Sequence, residues 1–432
     1  MIKTIKISNF RSLKDCSVTF APITYFYGNN AAGKSSLLYA LFLLKSILTD
    51  PNKQLDALFN FNFINLGGFS DVIFDHDDNL PIIISVIGRL KSVVYTYKIE
   101  LRKSDGSFTF ELGKPYFIKL NLPVTFPYPS NGSAKQQIKL DEINYNISWN
   151  GATTQISPDP VTDESTKLAN NLMSLMNEII ERIRSVDLIP MLRGFTRPLY
   201  GAVSVGTYAQ NQDELMTLLS KDSYLDIKIS NYLEQIMDRQ ARIYTPLSTS
   251  LIYYKTTEKE TKRSMDIVND GYGVNQLVYL LAKCLNKNVK IGMIEEPETN
   301  LHPKVVNKLP KVFIEIARDE EKQLIISTHS ENLIVSTLKA VSVKAIKPED
   351  VACYLTTKTK GTSRFERQHI SKEGKIEGGL ISFISDELDD LTSYLGKPKI
   401  NEEPISIEDK LSQIKEVNEK NIFNSENSAK ET

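Results

Sequence analysis

The stretch ITYFYGNNAAGKSSLL, residues 23–38, constrains the fold more than any other part of this sequence. It sets Gly28, Gly33, Lys34 and Ser35 at the spacing Gly-x4-Gly-Lys-Ser, after an aromatic and β-branched strand and before a helix expected over about 34–48. Glycines let a backbone wrap closely around phosphate oxygens, and the N–H groups of the loop and of the first helical turn then point at the anion. The pattern therefore predicts a nucleotide phosphate loop rather than a turn that only starts a helix.

Each position of this loop has an expected role. Lys34 would reach the β- and γ-phosphates of a nucleotide, the Ser35 hydroxyl would ligate Mg²⁺, and Ser36 is a weaker candidate. The backbone that would surround the phosphates belongs to Gly28, Asn29, Asn30, Ala31, Ala32 and Gly33. The loop alone leaves kinases, GTPases and several classes of ATPase open.

A pair of acidic residues narrows this choice. In IGMIEEPETNLHP an apolar strand ends in Glu295 and Glu296, at the carboxyl edge of a parallel sheet, where open α/β sheets bind nucleotides. Neighbouring strand residues point to opposite faces, so the two carboxylates cannot share one role. We expect Glu295 to hold the magnesium shell through water, and Glu296 to accept a proton from the attacking water or to orient it. The alternative is a pair of solvated acids at a strand end.

Two further segments complete the set. In LIISTHSENLI, His329 follows another buried strand, and its imidazole could hydrogen-bond a γ-phosphate or the catalytic carboxylate. A histidine in that place is otherwise only a local hydrogen-bonding group. In VNDGYGVNQL, Gly271 and Gly273 open a second helix, whose free N–H groups and positive dipole end suit an anion.

The composition excludes broad electrostatic attraction to nucleic acid or to an anionic membrane. The 432 residues include 52 basic and 53 acidic side chains, so any such contact would be a local patch. The longest apolar run, residues 37–44, is far shorter than the ~20 residues of a membrane helix, so we expect no contact with a membrane. The three cysteines have neither disulfide-framework nor zinc spacing, which favours a reducing, cytoplasmic setting.

The order of strand and helix patterns predicts an α/β fold. Buried strands at 289–294 and 323–327 alternate with helices and imply a parallel sheet covered on both faces, and 349–355 and 363–370 would be its last strands. The region 71–110 favours antiparallel strands. We expect one part of the α/β domain at 1–115, a loop-rich and then helical insertion at 116–245, and the second part at 246–370. A C-terminal extension at 371–432 would carry a short helix face at Ile407, Leu411 and Ile414 and a disordered end.

The motifs, in this order, resemble the ABC-type ATPases of the SMC, RecF and OLD (overcoming lysogenization defect) kind. The matching segments are NFRSLKD, GNNAAGKSSLL, NDGYGVNQL, MIEEPETNLHP and IISTHSENLI, and LIPMLRGFTRPLY looks like a segment of the small OLD-like ATPases. The resemblance implies a P-loop NTPase fold of ABC type. It has a mixed or parallel central sheet, an N-terminal antiparallel β subdomain and a partly helical insertion.

The resemblance also implies roles for residues. Two heads would sandwich ATP, so that the loop at Gly271 and Gly273 of one copy faces the nucleotide held by another in a homodimer or higher oligomer. Glu295 would be the Walker B acid, Glu296 the catalytic base and His329 the switch histidine. Arg11 matches a basic residue that approaches the phosphates. The signature serine is replaced by Gly271, so the contact between copies would rest on backbone amides or on Asn275.

The sequence supports three functional hypotheses. The first is an ATPase whose dimerisation controls a DNA-linked or anti-phage defence assembly. The second is a slow-turnover scaffold or sensor that holds a partner nuclease or toxin, because no Toprim-like cluster of acids is evident after His329. The third is a DNA repair or recombination ATPase that contacts DNA directly.

Overall fold

The computed structural model describes residues 1–50, 52–128, 132–140, 142–209, 211–246 and 249–376. Within these ranges each helix lacks either the length or the apolar character that a membrane span requires. The predicted helix face at 407–414 and the predicted disordered end lie outside the described residues. The described residues cluster as one compact unit.

The strands and helices of the described part are numbered along the chain. The strands are β1 (Ile2–Phe10), β2 (Leu13–Thr19), β3 (Ile23–Tyr27), β4 (Asn60–Phe61), β5 (Ile64–Asn65), β6 (Ile82–Leu90), β7 (Val93–Leu101), β8 (Gly106–Leu112), β9 (Ile118–Val124), β10 (Ala134–Leu140), β11 (Ile143–Trp149), β12 (Thr154–Asp159), β13 (Val186–Ile189), β14 (Leu199–Gly201), β15 (Arg239–Tyr244), β16 (Leu251–Glu258), β17 (Ser264–Asp266), β18 (Ile291–Glu295), β19 (Gln323–Ser327), β20 (Val351–Thr359) and β21 (Thr362–Gln368). The helices are α1 (Lys34–Thr49), α2 (Phe69–Val72), α3 (Asp163–Arg184), α4 (Gln212–Lys221), α5 (Ser223–Met237), α6 (Tyr272–Leu285), α7 (Pro303–Val306), α8 (Leu309–Asp319) and α9 (Glu331–Ser342).

The central sheet has the order β13-β18-β19-β3-β20-β21, in which the first five strands are parallel and β21 is antiparallel. Its inner strands β3, β18 and β19 are buried along their whole length. Such continuous apolar strands are typical of a parallel sheet that is covered on both faces. The predicted mixed, largely parallel sheet is confirmed, as are β20 and β21 as its last strands.

An antiparallel sheet of order β2-β1-β6-β7-β8-β9 forms the N-terminal β subdomain. Strand β7 shows why it forms, because Val93, Tyr95, Tyr97, Ile99 and Leu101 alternate inward with more exposed residues between them. Helix α1 contacts β1 and β6 of this sheet and β13 and β19 of the central sheet. The helix that follows the predicted phosphate loop is therefore packed between the two sheets.

The predicted loop-rich region after residue 115 is wrong for 118–159. Strand β9 continues the antiparallel sheet by pairing with β8, and β10, β11 and β12 form a three-stranded sheet. These strands were not predicted because the region contains several prolines and asparagines. Both residue types lower strand propensity, even where cross-strand contacts form. The predicted boundaries at 115 and 245 both fall between paired strands, because β15 pairs with β16. The helical block is present as α3, and the domain division itself stays a prediction.

Candidate functional site

Three strands end level with one another at the predicted site. In the register of the central sheet, Glu295 of β18 lies beside Ser327 of β19, and Ser327 lies beside Phe26 of β3. The phosphate loop, the pair of acids and His329 each begin within a few residues of these positions. Parallel pairing therefore brings three distant segments to the same carboxyl edge, where α/β sheets bind ligands.

The backbone of the phosphate loop requires its two glycines. Gly28 has a φ of 131°, and a Cβ there would lie 2.2 Å from the carbonyl oxygen of Thr356. Gly33 has a φ of 106°, caps α1, and would place a Cβ 2.1 Å from the hydroxyl oxygen of Ser363. Side chains are excluded by both strain and space, so the loop can keep this shape only with glycine. Between them, residues 29–31 are exposed and Ala32 is buried.

Lys34 is buried inside the loop that it belongs to. Its Nζ donates hydrogen bonds to the carbonyl oxygens of Gly28 at 2.8 Å and Asn29 at 3.0 Å. Burial lowers the pKa of Lys34 to about 8, an effect that the nearby carboxylates of Glu296 and Glu298 oppose. The ammonium group therefore lies at the loop, where it donates to two uncharged carbonyl oxygens. A charged phosphate oxygen would be a stronger acceptor and could take their place.

The predicted metal ligands are neighbours. Glu295 is 5% exposed and accepts a hydrogen bond from Tyr39 Oη at 3.3 Å, and the Ser35 hydroxyl is near enough to lower the pKa of its carboxyl group. Burial is the main reason that the pKa of Glu295 is raised. A buried carboxylate beside a hydroxyl, without a cationic partner in the described part of the chain, fits Mg²⁺. Ser36 is buried and Arg11 lies with its guanidinium carbon 5.7 Å from the Tyr39 ring centroid.

This donor set is small but sufficient for a P-loop site. Over the described ranges, no group of three or more His, Cys, Asp or Glu side chains converges as a metal cluster. In P-loop NTPases the cation is held by one hydroxyl, one carboxylate and oxygens of the nucleotide and water, so a larger protein cluster is not needed.

Glu296 and His329 face each other, with Oε1 and Nε2 at 3.5 Å, and both side chains are 31% exposed. Burial and the charge of Lys34 lower the pKa of His329, while Glu296 opposes the shift. Glu296 also has a φ of 43° in the left-handed region, which costs free energy for a residue with a side chain. Such strain at a polar residue on a sheet edge is typical of a functional position.

Arg193 was missed as a site residue, although it lies in the quoted segment LIPMLRGFTRPLY. Its buried guanidinium donates from Nη1 to the carbonyl oxygen of Glu295 at 2.7 Å and from Nη2 to that of Glu296 at 3.0 Å. A third bond reaches the carbonyl oxygen of Pro190 at 3.1 Å. Burial lowers the pKa of Arg193 to about 10, against the raising effect of the nearby glutamates. This side chain holds the strained backbone of the acidic pair.

Glu298 is a second missed residue. Its Oε1 accepts hydrogen bonds from the Thr328 hydroxyl at 2.8 Å and from the backbone N–H of His329 at 2.7 Å. Its Oε2 is buried without a hydrogen-bond partner among the described residues, and burial raises the pKa of the carboxyl group. Glu298 therefore ties the loop after β18 to the segment that carries His329. The only signal in the sequence that could have pointed to Glu298 was the repetition of acidic residues in EEPE, residues 295–298.

The second glycine pair lies beside the loop that follows the acidic pair. Gly271 caps α6 with φ 81° and ψ 150°, and a Cβ at Gly273 would lie 2.8 Å from the carbonyl oxygen of Asn300. Tyr272 between them is 71% exposed. The amide of Asn275 bonds both backbone groups of Phe195, at 2.7 and 2.8 Å, so it is used within the chain. The sequence predicted that either backbone amides or Asn275 would contact another copy. Because Asn275 is bound to Phe195, only the backbone amides are available for that contact.

Comparison with known proteins agrees with this geometry. Residues 23–336, more than half of the chain, match the family described as "AAA domain, putative AbiEii toxin, Type IV TA system". The chain belongs to this AAA family. The predicted resemblance to OLD-like P-loop ATPases is confirmed, and the mixed α/β fold with several sheets is consistent with a P-loop NTPase.

Curated relatives of this AAA chain include nucleases. It is 22% identical over 385 residues to "Old nuclease" of Escherichia phage P2, covering 80% of this chain and 59% of the relative. It is 21% identical over 372 residues to "Endonuclease GajA" of Bacillus cereus (strain VD045), covering 81% and 59%. The chain thus spans 59% of the length of each of these relatives.

Similar solved structures include SMC heads. The "SMC head domain from Thermotoga maritima" aligns with a TM-score of 0.43 and 12% identity over 86% of this chain and 99% of that one. The SmcHead bound to the C-winged helix domain of ScpA aligns with a TM-score of 0.45 and 12% identity over 86% and 98%.

Proposed function

We propose that this AAA chain binds ATP at the loop 28–36 and hydrolyses it with Mg²⁺. The observation that carries the proposal is the convergence of Lys34, the Ser35–Glu295 pair and the Glu296–His329 pair at one sheet edge. A phosphate cradle, a metal position and a base beside an imidazole are the parts that phosphoryl transfer to water requires.

Each group of the site would have a separate role in ATP binding and hydrolysis. Backbone N–H groups of the loop and of the first turn of α1 bind the phosphate oxygens, and the ammonium group of Lys34 contacts the β- and γ-phosphates. Bound Mg²⁺, held by Ser35 and through water by Glu295, would neutralise charge on the phosphates. Glu296 orients the attacking water and accepts its proton, and His329 hydrogen-bonds Glu296 or the γ-phosphate. Arg11 would approach the phosphates from above Tyr39.

The signature segment would complete the site of another copy. The first N–H groups of a helix have no partners within it, and space is open at Gly271, where a Cβ would meet no atom within 4 Å. We infer that these amides bind the γ-phosphate of ATP held by a second chain, which makes ATP the bridge of a homodimer or higher oligomer. Exposed Tyr272 would lie in this interface.

The proposed role is control of a DNA-linked or anti-phage defence assembly through ATP-driven dimerisation. The relatives named nucleases support a link to nucleic-acid cleavage, by a partner nuclease or effector. A slow-turnover scaffold or sensor is the second candidate, and one observation favours it. With Gly271 in place of serine and Asn275 bound to Phe195, the contact between copies lacks the signature serine hydroxyl and the amide of Asn275.

The wild-type protein and two variants test the proposal. Wild-type protein should release phosphate from ATP only with Mg²⁺, Lys34→Ala should bind and hydrolyse no ATP, and Glu296→Gln should bind ATP without turnover. On a sizing column with ATP, Glu296→Gln should shift to a dimer that Lys34→Ala does not form. Wild-type protein that neither binds nor hydrolyses ATP would refute the ATPase. ATP-dependent dimerisation with turnover below about one per minute would favour the scaffold.

A further inference from the structure

A second cleft lies between the helix of the phosphate loop and the signature helix. Its volume is ≈ 810 Å³, within the ~300–1,000 Å³ of small-molecule sites. Helix α1 lines it with Phe42, Lys45, Ser46 and Thr49, and α6 lines it with Tyr272, Asn275, Tyr279 and Lys283. Each set is spaced as one face of a helix. Among the described residues, the lining includes none of the loop 28–36, so this cleft is distinct from the ATP site.

The cleft carries an excess of positive charge. Of the described side chains that line it, four are cationic and two are acidic. Lys283 pairs with Asp187 at 2.8 Å, and Lys53 pairs with Asp50 at 3.3 Å at the exposed rim. Lys45 and Arg193 have no carboxylate within 4.0 Å in the described part of the chain. Arg193 is used by the backbone of the acidic pair, which leaves Lys45 as the lining cation without a close ion pair among the described residues. Burial lowers the pKa of Lys45, and the charge of Asp187, which lies farther than 4.0 Å away, only opposes that shift.

Lys45 is unusual because it is buried without a hydrogen bond. It is 8% exposed, and among the described residues its Nζ makes neither a hydrogen bond nor an ion pair. Its contacts are the faces of Phe42 and Tyr208, with ring centroids at 5.0 and 5.6 Å. Burying an unpaired ammonium destabilises a fold, and cation–π contacts offset only part of that cost. An anionic partner within the cleft would compensate the charge.

The remaining walls are aromatic. Phe42 and Phe63 are half-buried, with ring centroids 5.5 Å apart, and Phe63 belongs to the turn between β4 and β5. From the other helix, Tyr279 is also half-buried and packs edge-on against Phe195 at 5.4 Å. Partly exposed rings on both helices provide surfaces on which a planar ring can stack. A lysine among such rings suits a ligand that has both a planar ring and an anionic group.

We propose that this cleft binds a nucleoside monophosphate, or a small ligand of the same build, with its phosphate at Lys45 and its base among Phe42, Phe63 and Tyr279. The ligand would contact α1 and α6 together and so link the helix of the phosphate loop with the helix of the signature segment. The proposal does not rest on ATP hydrolysis.

AMP is the probe, measured by calorimetry on the full chain. The Lys34→Ala background removes nucleotide binding at the loop 28–36, so any remaining binding reports the cleft. We expect one AMP per chain, and adenosine and inorganic phosphate, tested separately, each bound at least about tenfold more weakly. Lys45→Met should weaken AMP at least about tenfold, because a charge-assisted contact is lost. Lys53→Met, the matched lysine at the rim, should change it less than about threefold.

Lys45→Met should also change stability without changing ATP binding. The substitution should raise the Tm, because it replaces a buried unpaired ammonium with an apolar side chain of similar length. With Lys34 intact, Lys45→Met should bind MgATP like wild type. A failure of the AMP proposal can therefore be distinguished from a failure of the proposed ATPase function. Phe63→Ala is a second variant and should also weaken AMP. The proposal is overturned by the absence of saturable AMP binding, or by AMP binding that neither Lys45→Met nor Phe63→Ala changes.

Discussion

Arg193→Met should damage catalysis more than nucleotide binding. Arg193 donates to the carbonyl oxygens of Pro190, Glu295 and Glu296, and methionine offers no donor. The carbonyl oxygen of Glu296 keeps a hydrogen bond from the N–H of Thr299 at 3.1 Å. The carbonyl groups of Pro190 and Glu295 would lose the guanidinium at a cost of about 1–3 kcal/mol each, so the loss of stability should be about 2–4 kcal/mol after relaxation. The left-handed backbone of Glu296 is held by this bond together with two backbone bonds, from Glu296 N–H to the Ser327 carbonyl at 2.9 Å and from Thr299 N–H to the Glu296 carbonyl at 3.1 Å. Loss of the guanidinium should therefore let this backbone shift without releasing it completely.

The expected kinetic result is a fall in kcat with little change in KM. A displacement of about 1 Å at the carboxylate of Glu296 costs about a hundredfold, so we expect kcat to fall about 10- to 100-fold. KM should stay within about threefold, since Lys34 and the loop keep their contacts. Arg193→Lys should be intermediate, because one ammonium keeps the charge but cannot span the three carbonyl groups.

Steady-state phosphate release and a thermal melt measure the two effects. Arg197→Met is the matched control, since Arg197 lies four residues on, is 51% exposed and pairs with Asp213. It should change kcat less than about twofold. A wild-type kcat and Tm for Arg193→Met would show that the guanidinium does not hold the acidic pair.

Three further predictions concern pH, the signature segment and Glu298. Because the pKa of Lys34 is about 8 in the free protein, kcat/KM for ATP should fall as pH rises above about 8, where the ammonium loses its proton. A Lys34→Arg variant that shows the same fall would contradict this assignment. Gly271→Ser should lower stability by about 1–3 kcal/mol, since φ 81° and ψ 150° suit glycine. Gly206→Ala, with open space and no such φ, should be near neutral in the same thermal melt. Glu298→Ala should lower the Tm by leaving two donors unpaired, and Glu298→Gln should restore most of it by keeping one acceptor oxygen.

The strand, glycine loop and helix at residues 23–49 were predictable because their signals are local. Spacing, a preceding strand and a following helix are all contained in residues 23–49, and the structure has them there. The acidic pair and His329 were predictable for a related reason, since each ends a run of apolar residues that only a buried parallel strand explains. Their meeting at one edge then follows from the sheet.

Arg193 and Glu298 show what the sequence could not provide. Arg193 bonds carbonyl groups more than a hundred residues away, and backbone carbonyls leave no signature in side-chain identity. Glu298 differs from a solvated acid only by its contacts with Thr328 and the N–H of His329. The strands β9–β12 were missed because their stability comes from pairing, which local propensity does not report. The positive φ of Gly271, which disfavours serine there, is likewise a property of the folded backbone.

The level register of β3, β18 and β19 has a consequence for how this protein can vary in length. Removing one residue from β18 would draw Glu296 back by about 3.3 Å and turn its side chain to the other face of the sheet. A swap of one apolar residue for another inside these strands changes neither distance nor direction. The site should therefore accept changes of residue type in its three strands, and lose function with any insertion or deletion within them.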